Sequence, residues 1–203
     1  MTHSPSDWER LAGPGRYPVA HAGWLVHPLR RLILPPERLV RRLGLRPGMR
    51  VLEVGCGPGY FSPALARATG PAGLTLFDAQ PGMLDLARAR LRGAGFPGVA
   101  AVAGLAEALP FPDAAFDRLV MVTVLGEVPE PALGVQEAAR VLKPGGRLCL
   151  VEAAGDPDRL RRPQLDALTA AAGLEPDQAW PGLLTETFLY RRPEGSLSPP
   201  ASA

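Results

Sequence analysis

The sequence predicts an α/β fold with a doubly wound, mostly parallel sheet of seven strands, helices on both faces and an antiparallel hairpin at one edge. Three observations predict it: five apolar runs have the length of buried strands, helical patterns separate them, and the last segment holds two extended pieces. At 203 residues the chain suits one well-packed domain. We expect a single domain over residues 1–203, with loose tails at 1–12 and 193–203.

The predicted strands are unbroken apolar runs, as expected where both faces of a sheet are covered. They are RVLEVG (50–55), LTLFD (74–78), VAAVAG (99–104), RLVMVTVL (118–125) and RLCLVE (147–152). Their alternation with helical patterns predicts parallel pairing. The final segment, residues 173–193, contains no crossover helix, so its two extended pieces around PGLL predict an antiparallel hairpin at the sheet edge.

The predicted helices have apolar residues three and four positions apart and end at glycines. They cover residues 62–70, 82–95, 131–146 and 162–173. Lys143, in the LKPGG stretch, is expected to complement the C-terminus of the third of these helices. A further helical segment, residues 16–45, precedes the first strand.

Composition excludes several function classes. A net charge of +2 shows no global bias toward nucleic acid, and no aromatic residues alternate with the basic ones as in a stacking surface. No apolar run approaches the roughly 20 residues that span a bilayer, so we expect a cytoplasmic protein in which Cys56 and Cys149 are thiols. No histidine pairs with a cysteine at a zinc-like spacing, so no metal is expected.

The stretch VLEVGCGPGYFSPALAR, residues 51–67, indicates a ligand site. It places Gly55, Gly57 and Gly59 at the carboxyl end of the first strand, where open parallel sheets bind ligands. Glycines there let the backbone turn sharply and approach a ligand closely. A plain structural turn between strand and helix is the alternative.

Asp78 ends the second strand, and a carboxylate at that position can accept both hydroxyls of a ribose. Its alternative role is to cap the helix that follows. Together with the glycines, Asp78 predicts a cofactor that contains a nucleoside. A dinucleotide is disfavoured, because the third glycine of G-x-G-x-x-G would fall at Tyr60.

Five blocks resemble, in order and spacing, the class I S-adenosylmethionine-dependent methyltransferases, particularly the ubiquinone/menaquinone-type branch that acts on small molecules. They are LGLRPGMRVLEVGCGPGYFS, LTLFDAQPGMLDLAR, GLAEALPFPDAAFD, VLGEVPEP and EAARVLKPGGRL. The resemblance covers about residues 36–151 and implies a Rossmann-like fold. It also implies S-adenosylmethionine as methyl donor, without a metal, and a small-molecule acceptor. We expect a monomer or a homodimer.

The resemblance implies a role for each matching position. Glu53 and residues 55–59 would surround the methionine end of the donor, Asp78 would take the ribose, and Val122 and Thr123 would flank the reacting centre. The complete set of implied cofactor-binding residues is Glu53, Gly55, Cys56, Gly57, Gly59, Asp78, Ala79, Gln80, Met83, Leu105, Ala106, Val122 and Thr123.

Two positions depart from the family pattern. Leu105 stands where members commonly have Asp or Asn to bind the adenine amino group, and a leucine cannot accept that hydrogen bond. A backbone group or Glu107 would then have to accept the hydrogen bond from the adenine amino group, and cofactor binding would be weaker or altered. Gly126 and Glu127 stand where two histidines are frequent, which alters the substrate side. Glu127 is either a catalytic candidate, as a base, or a capping or solvent-facing acid.

In the family, the segment before the first strand often closes over the cofactor, so residues 16–45 are implied to form a lid. His21 is a second catalytic candidate there, and Tyr17, Trp24 and Arg30 are substrate-side candidates. Their alternatives are packed aromatic residues, a surface histidine and a solvated arginine. The arginines of this segment also fit contact with a membrane or a lipid substrate, although the chain's arginine bias explains them as well.

Two functions from different classes follow. The first is a methyltransferase for a small molecule. The second is a non-catalytic protein that keeps the fold as a binding or partner module, with Leu105 as the residue that favours it.

Overall fold

The computed structural model describes residues 17–195 and contains one seven-stranded sheet. Its strands are β1 (Val51–Val54), β2 (Leu74–Asp78), β3 (Ala100–Ala103), β4 (Phe116–Val122), β5 (Leu142–Ala153), β6 (Glu175–Trp180) and β7 (Thr185–Arg191). The order is β3-β2-β1-β4-β5-β7-β6. The first five strands in that order pair in parallel, whereas β7 is antiparallel to β5 and to β6. The predicted fold class and hairpin edge are confirmed.

Helices cover both faces of this sheet. They are α1 (Arg30–Ile33), α2 (Pro36–Leu43), α3 (Ser62–Thr69), α4 (Pro81–Gly93), α5 (Pro131–Val141) and α6 (Arg162–Ala171), with 3₁₀ helices at Val19–Val26, Pro71–Gly73 and Leu125–Glu127. One apolar cluster holds residues of α5 and α6, and the other holds residues of α2, α3 and α4. Along β4, Leu119 and Met121 join the first cluster and Val120 the second, because successive strand side chains point to opposite faces.

The predicted limits of the fourth strand were wrong. The strand ends at Val122, because Thr123 has a φ of 53° and turns the chain out of the sheet. A 3₁₀ helix, Leu125–Glu127, follows beyond that turn. This early end leaves Val122 and Thr123 at the carboxyl edge of the sheet.

The predicted role of Lys143 was also wrong. Strand β5 begins at Leu142, and the Lys143 ammonium pairs with the Asp117 carboxylate at 2.8 Å. Another cation provides hydrogen bonds to the carbonyl groups at the end of α5. The buried Arg192 guanidinium donates to the carbonyls of Ala139, Arg140 and Leu142. A residue that is distant in sequence therefore caps the helix.

The predicted tails lie mostly outside the described part of the chain, which excludes residues 1–16 and 196–203. Within it, the backbone of Arg192 pairs with Gly145 and Gly146, so the ordered structure runs past β7. The segment before β1 is two short α-helices and a 3₁₀ helix rather than one long helix. Over residues 17–195, no helix has both the length and the apolar character needed to cross a membrane.

Candidate functional site

A cavity of about 430 Å³ lies beyond the carboxyl ends of β1, β2 and β4. Strand β1 is central, with β2 on one side and β4 on the other, so the connections diverge here to opposite faces of the sheet. Open parallel sheets bind ligands at such a switch point, and the volume suits a small-molecule site.

The three glycines after β1 all have positive φ values, which are 66° for Gly55, 52° for Gly57 and 77° for Gly59. Their surroundings differ. A Cβ on Gly55 would overlap Val124, and a Cβ on Gly59 would lie 2.9 Å from the Ala87 Cα of α4. A Cβ on Gly57 would meet nothing closer than a Leu25 methyl at 3.8 Å. Gly55 and Gly57 line the cavity, whereas Gly59 packs against α4, and its role at the ligand stays a prediction.

Asp78 joins the β1 loop to the end of β2. Its Oδ2 accepts the Gly57 N–H at 2.8 Å, and its Oδ1 accepts the Gln80 N–H at 2.9 Å. The second bond closes the turn before α4, whose N-cap residue is Gln80 and has no side-chain capping bond, so Asp78 is not the helix cap proposed as the alternative. Because each carboxylate oxygen has two acceptor sites, Asp78 can bind the two amides and still accept hydroxyls from a ligand in the cavity that it lines.

Glu53, in β1, is a buried acid on the cavity wall. Ser62 Oγ donates to its Oε2 at 2.6 Å. Burial raises the pKa of Glu53 to about 8, the Ser62 hydrogen bond lowers it, and the Asp78 carboxylate raises it further. The cavity therefore contains an acid that is largely protonated at neutral pH until a cation arrives.

An apolar slot extends beyond β2 and β3. Ala79, Gln80, Met83, Leu105 and Ala106 all line the cavity there. Met83 and Ala106 are buried, whereas Leu105 is 47% exposed. Gln80 is held by its own contact, since its Nε2 donates to the Tyr17 carbonyl at 3.0 Å.

Val122 and Thr123 lie on the opposite side, at the end of β4. A φ of 53° is unfavourable for a β-branched residue such as threonine. The Thr123 N–H donates to the Val151 carbonyl at 2.8 Å, which holds the residue in this conformation. Strained backbone of this kind is concentrated at functional sites.

Cys56 also lines the cavity, with its side chain buried. Its Sγ lies 3.5 Å from the Gly57 carbonyl oxygen. Burial first, and then the charges of Glu53 and Asp78, raise the pKa of the thiol well above its usual range. A neutral thiol is a weak nucleophile, so the contribution of Cys56 to the site is its shape and backbone.

A second group of acids lines the side of the cavity beyond β5: Glu127, Asp156 and Asp158. Burial raises the pKa of Glu127 to about 7, with Asp156, Asp158 and Asp78 adding to the rise and a hydrogen bond from the Tyr17 backbone opposing it. Gly126 makes this arrangement possible, because a Cβ there would overlap the Asp158 carbonyl.

Sequence reasoning missed Asp156 and Asp158. The available signal was their position directly after β5, at the edge where the carboxyl ends of the strands meet. They could not be assigned to the site from sequence, because nothing in GDPDRL (155–160) shows that this loop folds back against Gly126.

The segment before β1 contributes Tyr17, Leu25 and Arg30 to the cavity. Arg30 donates to the Leu25 carbonyl at 2.7 Å, and its guanidinium lies over the Tyr60 ring at 5.0 Å. Two predicted residues of this segment, His21 and Trp24, are not among the residues that line the cavity, and their roles stay predictions.

The physical reason is the 3₁₀ helix at Val19–Val26, in which residues three apart share a face. Ala22 is buried and Leu25 lines the cavity, so they share the inner face. His21 and Trp24 share another face, and Trp24 stacks on His27 with a centroid distance of 6.0 Å.

The strand order, the glycine turn and the acid at the end of β2 together define an α/β protein with a small-molecule type of cavity at the switch point of its sheet. Residues 52–150 match a family of methyltransferase domains. Among curated proteins, the ubiquinone/menaquinone biosynthesis C-methyltransferase UbiE of Shewanella halifaxensis is 39% identical over 115 residues, which cover 56% of this chain and 46% of the relative. The UbiE of Pasteurella multocida is 40% identical over 111 residues, which cover 54% and 41%.

Solved structures show the same fold. A SAM-dependent methyltransferase from Aquifex aeolicus has a TM-score of 0.81 at 23% identity and covers 87% of this chain and 100% of its own. The [4+2]-cyclase SpnF has a TM-score of 0.71 at 23% identity and covers 79% and 81%. Over residues 52–150 the chain is thus similar to methyltransferase domains, and its fold is the one seen in SAM-dependent methyltransferases. The aligned part spans less than half the length of the curated relatives.

The buried acid Glu53 generates a prediction about pH. Its folded pKa of about 8 lies above the usual value, so its stabilising contribution is complete at acid pH and is lost as pH rises through 8. Glu53→Gln removes this loss. Between about pH 6 and pH 9 the wild type should lose roughly 1–3 kcal/mol more free energy of unfolding than the variant, measured in urea without ligand.

Glu130→Gln is the matched control, because Glu130 is exposed and lies outside the cavity. Its stability should follow pH as the wild type does. Equal pH dependence in wild type and Glu53→Gln would show that Glu53 ionises normally in the folded protein.

Proposed function

We propose that this protein transfers a methyl group from S-adenosylmethionine to a small-molecule acceptor by in-line displacement, leaving S-adenosylhomocysteine. The observation that carries the proposal is Gly57, which lines the cavity while its N–H donates to the Asp78 carboxylate. The family supports this donor. The curated relatives are named as C-methyltransferases of ubiquinone and menaquinone biosynthesis, which supports a small-molecule acceptor.

The residues of the cavity fit such a donor. The backbone of Gly55 and Gly57 can approach its methionine end, with Glu53 behind, and Asp78 can accept from its ribose. The slot formed by Ala79, Gln80, Met83, Leu105 and Ala106 is apolar enough for an adenine. Val122 and Thr123 would flank the methionine portion.

Charge supports a cationic donor as well. Among the described residues, six acidic side chains line the cavity against one basic side chain, Arg30. The acids are Glu53, Asp78, Glu107, Glu127, Asp156 and Asp158. A cleft lined by one sign of charge raises the local concentration of a ligand of opposite charge.

When bound, the donor supplies a methyl group on a positively charged sulfur with an excellent leaving group. The protein therefore has to align and desolvate the two partners rather than provide a nucleophile. The half-enclosed cavity, walled by the segment before β1 on one side and the sheet on the other, is suited to that task.

Glu127 is the residue that we propose accepts a proton from the acceptor. It lines the cavity, and its pKa of about 7 lies in the range where a carboxylate can take up a proton near neutral pH. Tyr17 and Arg30 lie at the same cavity and are proposed to contact the acceptor.

A second function is favoured by Leu105, whose side chain offers no hydrogen bond in the adenine slot. The chain could bind a nucleoside weakly and serve as a non-catalytic binding or partner protein. The similarly folded SpnF is named as a [4+2]-cyclase, which illustrates that this fold does not by itself determine the reaction.

Titration calorimetry with S-adenosylmethionine tests the leading function. The wild type should bind, and Asp78→Ala should lose about 30-fold or more in affinity, since charged hydrogen bonds are worth about 1.5–3 kcal/mol. Gly57→Ala should also lose affinity, because the methyl group would enter the cavity. Asp85→Ala, an exposed acid on α4, is the control and should bind as the wild type does.

Absence of heat with S-adenosylmethionine, together with binding of NADH, would contradict the proposal in favour of a redox protein. Binding of S-adenosylmethionine with no transfer to any acceptor would favour the non-catalytic function.

Leu105→Asp should strengthen binding of S-adenosylmethionine by about tenfold, because a carboxylate can accept the adenine amino group and one such bond is worth roughly 1–3 kcal/mol. Leu133→Asp is the matched control, since Leu133 is an exposed leucine outside the cavity. Weaker binding by Leu105→Asp alone would mean that adenine lies elsewhere.

Glu127→Gln should keep donor affinity within about twofold but slow methyl transfer by roughly 10²–10⁴-fold, the usual contribution of a general base. Radiolabelled donor and a panel of phenols, hydroquinones and amines provide the measurement. In the wild type, kcat/KM should rise with pH through about 7 and level off above it, because the base must be ionised. Glu130→Gln should retain both rate and profile, and an unchanged profile in Glu127→Gln would exclude this role.

A further inference from the structure

The exposed apolar side chains of this protein are concentrated at one place. Six of the large hydrophobic residues that are exposed within residues 17–195 belong to two short segments. We call them the entrance surface: Trp24, Leu29, Leu32, Ile33, Leu183 and Leu184. Trp24 is 67% exposed, Leu32 is 77% exposed and Leu183 is 94% exposed, so these side chains pack against little of the chain between residues 17 and 195.

Both segments adjoin the cavity and each other. Ile33 from the first and Leu184 from the second line the cavity while remaining partly exposed, which places them at its mouth. Ile33 and Thr185 also line one small hollow beside it, so the two segments meet there. The entrance surface therefore borders the opening through which a ligand must pass.

The second segment is held in a fixed conformation. Leu183 and Leu184 occupy the connection between β6 and β7, and a Cβ on Gly182 would overlap the Thr185 carbonyl, so the turn there is tight. The Ala154 N–H donates to the Leu184 carbonyl at 2.8 Å, which ties the turn to the end of β5. A nearly fully exposed leucine on a fixed turn is a feature of a contact surface rather than of a core.

Arginines surround the apolar side chains. Residues 24–43 contain five arginines and one acid, Glu37. Helix α2 buries Leu39 and Leu43 and leaves Arg38 and Arg41 exposed, and Arg38 lines the small hollow together with Ile33. Arg31 is exposed and pairs with Glu37 at 2.7 Å, which links α1 to α2. Along its first segment the apolar surface thus has a positive border, whereas Asp156 and Asp158 line the cavity together with Leu184 of the second segment.

We propose that the entrance surface contacts an anionic phospholipid bilayer, with the apolar side chains in the headgroup and acyl boundary and the arginines against lipid phosphates. The apolar side chains match the acyl boundary of such a bilayer, and the basic side chains beside them match its anionic headgroups. A symmetric pairing of two copies through the same surface is disfavoured by charge, because it would bring the arginine borders of both copies together.

The location of this surface has a consequence for the cavity. A protein that rests on a bilayer through the residues around its cavity mouth can receive a lipid-soluble molecule without passing it through water. That the molecule is a methyl acceptor rests on the proposed function, whereas membrane contact does not.

Vesicle sedimentation tests the proposal with the full chain and without S-adenosylmethionine. Wild-type protein is mixed with vesicles of phosphatidylcholine alone or of phosphatidylcholine with phosphatidylglycerol. It should sediment with the anionic vesicles, and high salt should weaken binding, because exposed charges are screened. Absence of binding to anionic vesicles would overturn the proposal, and a separate titration with S-adenosylmethionine in the absence of vesicles tests the proposed function independently.

Three double variants identify the surface. Leu32→Ser with Leu183→Ser should lose roughly tenfold or more in vesicle affinity, and Arg38→Gln with Arg41→Gln should lose a similar amount and become less sensitive to salt. Leu86→Ser with Leu133→Ser is the matched control, since both leucines are exposed but lie on α4 and α5, away from the cavity. Thermal unfolding confirms that each variant is folded.

The result that would overturn the assignment is an equal loss of binding in the control and in Leu32→Ser with Leu183→Ser. Sedimentation velocity tests whether a second copy of the chain occupies the entrance surface instead. That assignment would follow if the wild type does not bind vesicles but forms a dimer, and if Leu32→Ser with Leu183→Ser dissociates the dimer.

Discussion

The hydrogen bonds that the Asp78 carboxylate accepts hold the candidate site together. One comes from the Gly57 N–H, in the loop after β1, and the other from the Gln80 N–H, at the start of α4. A single side chain thus joins the loop after β1 to the start of α4, the helix that follows β2. The cavity exists where it does because the β1 loop is held toward β2, and β4 on the other side ends early at Thr123.

The same site contains more acidic than basic side chains, and burial opposes the ionisation of two of them. Glu53 and Glu127 have pKa values raised to about 8 and about 7, chiefly because burial disfavours their charged forms. A cationic ligand would favour the ionised forms and recover that cost. This is how a cavity that destabilises the empty protein can be selective for a positively charged donor. A binding site and its stability penalty therefore arise from the same side chains.

Most of the fold could be predicted from the sequence, because long apolar runs and helical periodicity are local signals. The ends of elements were harder. Lys143 has the sequence position of a helix-capping cation, yet Asp117 binds it and Arg192 caps α5 instead. Basic side chains from different parts of the chain can donate to the last carbonyls of a helix. Arg192 lies about fifty residues after α5, so the sequence does not show that Arg192 is the donor. The same difficulty concealed Asp156 and Asp158, and the 3₁₀ helix turned His21 and Trp24 away from the cavity.

By itself the sequence determined the order of strands and helices, the glycine turn after β1, the acid at the end of β2 and the family resemblance, since each is written in a few consecutive residues. Only the tertiary structure decided which of the three glycines faces the cavity, which side chains before β1 line it, and that its mouth is bordered by exposed leucines and arginines. These depend on distances between segments that are far apart in the chain, such as Leu184 and Ile33. Packing, rather than local pattern, brings such segments together.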